Sequence, residues 1–338
     1  MRFALLNLLC FNVCAYANEK PVKVAFIGDS DYKGGFKEVL ELIKNENAEL
    51  VIHSGDLAYH EEDPDSPKLW DQRISEVLGE KFPYLFLIGN HDVPHWFQKN
   101  AMNYDSILRK RIADNPELVC SGEHGVKSYC IFRGIFFLLS GVGSYGENHE
   151  HFIDQALAQN AHFPFRICAW HKNQEDMQTG FKTNEVGWQA YQICQKHGAM
   201  IVTGHEHSYA RTRNLDKIGS HAENHGFFGD PEHIELKAGN TFVILSGLGG
   251  NELYPFNCKH KQDTWWASLF SDKVQMRNGV LNYNTCRNFT EDGSEYIKFT
   301  FGALFVTFNV NGDPTLAKGE FKTINGDVVD AFTVRVLK

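Results

Sequence analysis

Five short motifs fall in one order along the chain, mostly just past apolar runs that read as β-strands. They are Gly28-Asp29-Ser30-Asp31, Gly55-Asp56-Leu57-Ala58-Tyr59, Gly89-Asn90-His91-Asp92, Trp170-His171 and Gly204-His205-Glu206-His207. A strand that ends in a turn carrying a donor side chain leaves that donor at a sheet edge. In α/β folds, ligand sites lie beyond the carboxyl ends of the strands. Asp29, Asp56, Asn90, His171 and His205 all take that place, so the motifs demand a layered fold whose loops gather at one edge.

The patterning between the motifs agrees. Val22 to Ile27 and Leu50 to His53 are apolar strands, and Phe36, Val39, Leu40 and Ile43 between them keep helical spacing. A polar segment containing Trp70, Ile74 and Val77 leads to a strand at Tyr84 to Ile88. Ser128 to Leu139 reads as a hairpin around Gly134, and Phe165 to Trp170 as a buried strand. Val186, Ala190, Ile193 and His197 make a helical face that stops at Gly198. Ala199 to Val202 and Thr241 to Leu245 are further strands. The tail from Phe299 is strand-rich, with turns at Asn311-Gly312-Asp313-Pro314 and Asn325-Gly326. Two loop-rich stretches, Asn214 to Asn240 and Gly249 to Glu295, read as insertions that either shape a pocket or decorate the surface. The expected fold is α/β, a layered αββα sandwich of two mixed sheets flanked by helices.

Residues 1–17 have the form of a secretory signal. Arg2 is followed by a largely apolar Phe3 to Cys14, and Ala15-Tyr16-Ala17 fits the small-x-small cleavage rule. The chain is therefore expected to be secreted or periplasmic, with residues 18–338 forming one catalytic domain. Removing the leader leaves Cys120, Cys130, Cys168, Cys194, Cys258 and Cys286. Cys120 and Cys130 flank a glycine-containing turn and can close a hairpin, while Cys168 in its apolar strand also fits a buried free thiol. Asn288-Phe289-Thr290 is a glycosylation sequon. A net charge of −9 offers no basic excess to neutralise phosphates, which argues against a nucleic-acid or anionic-membrane partner. An acidic protein acting on an anionic substrate needs local positive charge, and bound metals supply it.

Each motif alone is weak. A Gly-Asp pair is commonly a capping aspartate, and a lone histidine is usually structural. Together they provide carboxylates, an amide oxygen, imidazoles and a phenol, a set suited to two adjacent cations facing a phosphate ester. The ordered set resembles the calcineurin-like metallophosphoesterase superfamily. Tyr59 and the run Gly204-His205-Glu206-His207-Ser208-Tyr209-Ala210-Arg211 look like its purple acid phosphatase branch.

The resemblance implies that Asp29, Asp56, Tyr59 and His207 hold a first metal, Fe(III) in the purple branch. Asp56, Asn90, His171 and His205 would hold a second, divalent ion: zinc, manganese or iron. His91 would meet the phosphate and help the leaving group depart, oriented by Asp92. The implied reaction is in-line attack of a metal-held hydroxide on a small phosphate monoester. The alternatives are a phosphodiesterase acting on nucleotides or lipid headgroups, and a catalytically silent metal-binding relative. Asp31 departs from both family patterns, as an extra ligand, an acceptor behind the ligands, or a plain loop residue. Lys172, beside His171, either pairs with substrate charge or is solvated.

Overall fold

Val22–Ile27 and Leu50–His53 are almost wholly buried apolar strands, and they pair in parallel inside a sheet. A strand covered on both faces needs such a continuous apolar run. The computed structural model describes residues 20–272, 274–277, 280–281 and 300–337. The expected leader with Cys10 and Cys14, together with Cys286 and the Asn288 sequon, lies outside these residues.

Two large mixed sheets face each other. Among the described residues the first has seven strands, in the order His233–Leu236, Val328–Val336, Leu316–Thr323, Gly302–Phe308, Val22–Ile27, Leu50–His53, Tyr84–Phe86. The second has ten strands, centred on the parallel run Ile135–Ser140, Arg166–Ala169, Met200–Thr203, Val243–Ser246. Phe26 meets Phe137 at 6.4 Å between ring centres, and Phe165 meets Phe308 at 5.0 Å, so one apolar core fills the space between the layers. Helices Phe36–Asn45, Ser66–Leu78 and Tyr104–Ala113 pack with the first core. His149–Gln159 and Trp188–His197 pack on the outer face of the second sheet. This is the αββα sandwich expected from the sequence.

Local chemistry accounts for the boundaries. Phe36, Val39, Leu40 and Ile43 are the buried stripe of their helix. Gly198 ends the helix Trp188–His197 in the left-handed conformation, φ 66°, which a glycine adopts without a Cβ penalty. Cys120 and Cys130 face each other directly across a hairpin ladder and form a disulfide, Cα atoms 4.1 Å apart. Cys258 is also disulfide-bonded, and Cys168 and Cys194 are buried thiols that meet.

Three expectations change. The polar segment around Trp70 is the helix Ser66–Leu78, with those three apolar residues on its buried side. The stretch Asn214 to Asn240 is not pure decoration, because His233–Leu236 adds a parallel edge strand beside Val328–Val336. Gly249 to Glu295 likewise supplies Trp266–Ser271, Val274–Arg277 and Val280–Leu281 to the ten-stranded sheet.

Candidate metal centre

The donors come from both layers. Asp29, Asp56 and Asn90 follow strands Val22–Ile27, Leu50–His53 and Tyr84–Phe86 of the first sheet. His171, His205 and His207 follow Arg166–Ala169 and Met200–Thr203 of the second. The turns bond to one another: Asp29 N–H donates to Gly55 O at 3.1 Å, and Gly204 N–H to His171 O at 3.1 Å. Asp29, Asp56 and His205 hold φ of 59°, 54° and 73°. Left-handed backbone outside glycine is uncommon, and its clustering at one rim marks a site whose side-chain directions matter more than local comfort. Gly89 is needed for a different reason: a Cβ there would lie 2.1 Å from Asp56 Oδ1.

One half of the rim is built around Asp56, His171 and His205, all buried, with their donor atoms grouped together. His171 Nε2 lies 2.9 Å from Asp56 Oδ2 and 3.1 Å from His205 Nδ1. His171 Nδ1 faces Ser54 O at 2.8 Å and must donate to it, since a carbonyl only accepts. His205 Nε2 faces the Glu185 carboxylate and must likewise donate. Both rings therefore turn their second nitrogen inward, towards a carboxylate oxygen. In the metal-free protein a proton on His171 Nε2 bridges this group, and a cation that displaces the proton would meet three acceptors around one point. Asn90 Oδ1 beside them is buried with no hydrogen-bond partner among the described residues.

The other half is built around Tyr59. Its hydroxyl lies 3.0 Å from Asp29 Oδ1, 2.8 Å from His207 Nε2 and 3.4 Å from Asp56 Oδ2. One O–H proton serves only one of these three neighbours at a time. Tyr254 stacks on the His207 ring at 3.9 Å and 9°, fixing its plane.

The electrostatics carry the same message. Burial opposes charge on His171, but the Asp56 carboxylate outweighs it and raises the ring to about 9. Burial lowers His205 to about 4, leaving it neutral near pH 7. Burial, then the charges of Asp29 and Asp56, hold the Tyr59 phenol well above its ordinary value. A bound cation reverses the Asp29 and Asp56 contributions. The orphaned Asn90 oxygen, the inward ring nitrogens and the oxygen-rich Asp29–Asp56–Tyr59 group all fit a pair of metal ions.

All nine expected residues lie at this rim, but Asp92 does not orient His91. Asp92 Oδ2 accepts from Asp56 N–H at 2.9 Å and Gly89 N–H at 2.7 Å, and Oδ1 accepts from Leu57 N–H at 2.8 Å. It pins two donor loops together. The partner of His91 Nδ1 is Glu61, in the loop after Tyr59. Asp31 turns away from the centre to His60 Nε2 at 3.0 Å, and Lys172 pairs with Glu185 at 2.7 Å. Glu61, Lys182, Glu185 and Tyr254 went unread in the sequence. Only Glu61 had a local signal, as a carboxylate two residues past a motif.

Two other features carry none of these donors. A cavity of about 560 Å³ lined by Asn214, Asp230, His233 and Arg335 is roomy but lies elsewhere, so size does not locate the site. Asp176, His221 and His225 also cluster. There, however, His225 Nδ1 accepts from Gly219 N–H at 3.1 Å. The proton is thus on Nε2, pointing at Asp176 Oδ2 at 3.6 Å, and no lone pair is left for a cation.

The sequence pattern of the calcineurin-like phosphoesterase family matches residues 22–209. A purple acid phosphatase, PPD1, isolated from yellow lupin (Lupinus luteus) seeds, superposes on 94% of this chain and 54% of its own, with TM-score 0.61 and 16% identity. A structure of PhoD superposes on 94% of this chain and 70% of its own, with TM-score 0.51 and 11% identity. At these identities the likeness is one of fold, and this chain spans about half the length of the lupin protein. No curated protein sequence matches this chain significantly.

Proposed function

The chain belongs to the calcineurin-like phosphoesterase family, and on that premise we propose that it is an exported two-metal hydrolase of small phosphate monoesters. The observation that carries the proposal is the inward grouping of Asp56 Oδ2, His171 Nε2 and His205 Nδ1, three buried potential ligand atoms gathered around one point. Asp29, Tyr59 and His207 would hold one ion, Asn90, His171 and His205 the other, and Asp56 both. The hard oxygen donors on the Tyr59 side suit a ferric ion, and the imidazole-rich side suits zinc, manganese or ferrous iron.

Paired ions polarise phosphoryl oxygens and make bound water acidic. The chain's own residues do the rest. His91 sits at the open side, its Nε2 4.0 Å from Asp56 Oδ2. With Nδ1–H donating to Glu61, Nε2 is the ring nitrogen left at the half-exposed edge of the centre, and it would give a proton to the departing alkoxide. Asp92 keeps the Asp56 and Gly89 loops in register.

Export is supported by the Arg2-to-Ala17 pattern together with the Cys120–Cys130 disulfide, since such bonds persist in oxidising compartments. Among the described residues no helix is long and apolar enough to cross a membrane.

Elemental analysis of the purified protein, a visible spectrum, and turnover of p-nitrophenyl phosphate against bis(p-nitrophenyl) phosphate test the reading. Two metals per chain, a tyrosinate-to-iron absorption lost in Tyr59→Phe, and preference for the monoester are expected. Full metal content with no hydrolysis of either ester would make the protein a binding relative instead.

A further inference from the structure

Lys182 reaches the metal rim from a turn that the five motifs do not include. Its Nζ lies 3.2 Å from His205 Nδ1 and 5.3 Å from the centre of the Tyr254 ring, which itself covers His207. The ammonium thus lies beside one of the inward ring nitrogens.

The turn beneath it is fixed. The buried Gln178 side chain accepts from Gly180 N–H at 2.7 Å and donates to Lys182 O at 2.6 Å. Gly180 presses on Glu206 so closely that a Cβ would lie 1.9 Å from Oε1. The backbone cannot swing out without breaking these contacts, so only the four-carbon stem moves. Glu206 is buried, and neither of its carboxylate oxygens has a hydrogen-bond partner among the described residues.

An ammonium has three donors and no lone pair, so it cannot ligate a metal. When His205 Nδ1 engages a cation, Nζ must release that nitrogen. Two like charges then part, and the tethered ammonium is left at the mouth, facing whatever anion enters.

We propose that Lys182 donates to a non-bridging phosphoryl oxygen and selects dianionic monoesters over monoanionic diesters. The inference rests on the hydrolase reading above and names a residue and a substrate charge for it. A second phosphate charge is worth a nearby ammonium, whereas a diester offers it less to bind.

The test compares wild type, Lys182→Gln and Lys182→Arg, loaded with the same metal. Four readouts are taken: metal content, unfolding midpoint, inorganic-phosphate Kd by calorimetry, and kcat/KM on the two nitrophenyl esters. Lys182→Gln should keep both metals, weaken phosphate binding about 10- to 100-fold, and lower monoester kcat/KM by a similar factor. Diester kcat/KM should fall less than about threefold. Lys182→Arg, which keeps the charge beside Glu206, should recover most of the phosphate affinity. An unchanged phosphate Kd in Lys182→Gln, or equal losses on both esters, overturns the assignment. A wild type that binds metal and hydrolyses esters while Lys182→Gln behaves identically defeats the lysine alone. A wild type that takes up no metal defeats the hydrolase reading and the lysine with it.

Discussion

Replacing Asp92 with asparagine separates a loop clamp from a catalytic orienter. The carboxylate accepts three backbone N–H bonds of 2.7–2.9 Å from Asp56, Leu57 and Gly89. Asparagine keeps one oxygen and turns an NH2 group toward the remaining donor or donors. At least one buried N–H then goes unpaired, at about 1–3 kcal/mol, and the surviving bonds lose their charge assistance, about 1 kcal/mol each. The gross loss is about 3–5 kcal/mol on those values. Part is recovered: burial, then the Asp56 charge, push the Asp92 carboxyl up to about 8, so in the metal-free protein the charge assistance exists only above that pH, where ionisation is itself costly and the comparison is made. A net loss of about 2–4 kcal/mol is expected, a large share of the roughly 5–15 kcal/mol that holds a domain folded. Urea denaturation of metal-free Asp92→Asn measures it, and weaker metal retention should accompany it because two donor loops share the clamp. The pH dependence arising from His91 should not change. Wild-type stability and metal content, combined with an altered His91 pH profile, would refute the clamp and return Asp92 to the imidazole.

Glu61→Gln should lower kcat about 10- to 100-fold with metal content intact, because it removes the negative charge on the acceptor of His91 Nδ1–H; an unchanged kcat removes Glu61 from the reaction. Metal binding at pH 7 should release about one proton from His171, which metal must displace from a ring raised to about 9; calorimetry in buffers of different ionisation enthalpy reads this, and zero release refutes it. The sign follows for the metal-free protein. A raised folded value means that the His171–Asp56 pair stabilises fully below the ring's ordinary value of 6.5, and that this contribution fades as pH rises through about 9. Metal affinity should rise over the same window.

The motif loops were legible because each is a local event: an apolar strand, then a glycine-supported turn, then a donor. The helix Phe36–Asn45 was legible because four apolar residues mark its stripe. Ser66–Leu78 was not, since Trp70, Ile74 and Val77 are sparse among Lys68, Asp71, Gln72, Arg73 and Glu76. His233–Leu236 hid inside an apparent insertion because its partner strand, Val328–Val336, lies about a hundred residues away. The same limit explains the site's unread half. Lys172 and Lys182 look alike in one dimension. Only the turn held by Gln178 sends Lys182 to His205, while Glu185 captures Lys172. Asp92 misled for the opposite reason: adjacency to His91 suggested a pair, yet consecutive residues on a turn point apart.

Arg211 from the ten-stranded layer grips Asp330 of the seven-stranded layer through two hydrogen bonds, 2.6 and 2.9 Å long, deep inside the sandwich. Because each proposed ion seat draws ligands from both layers, any sliding of one slab over the other would pull the ligands of each seat apart. That rivet and the ions therefore resist the same mechanical displacement. A lesion at Arg211, remote from phosphorus chemistry, should register as weaker metal retention as well as lower stability.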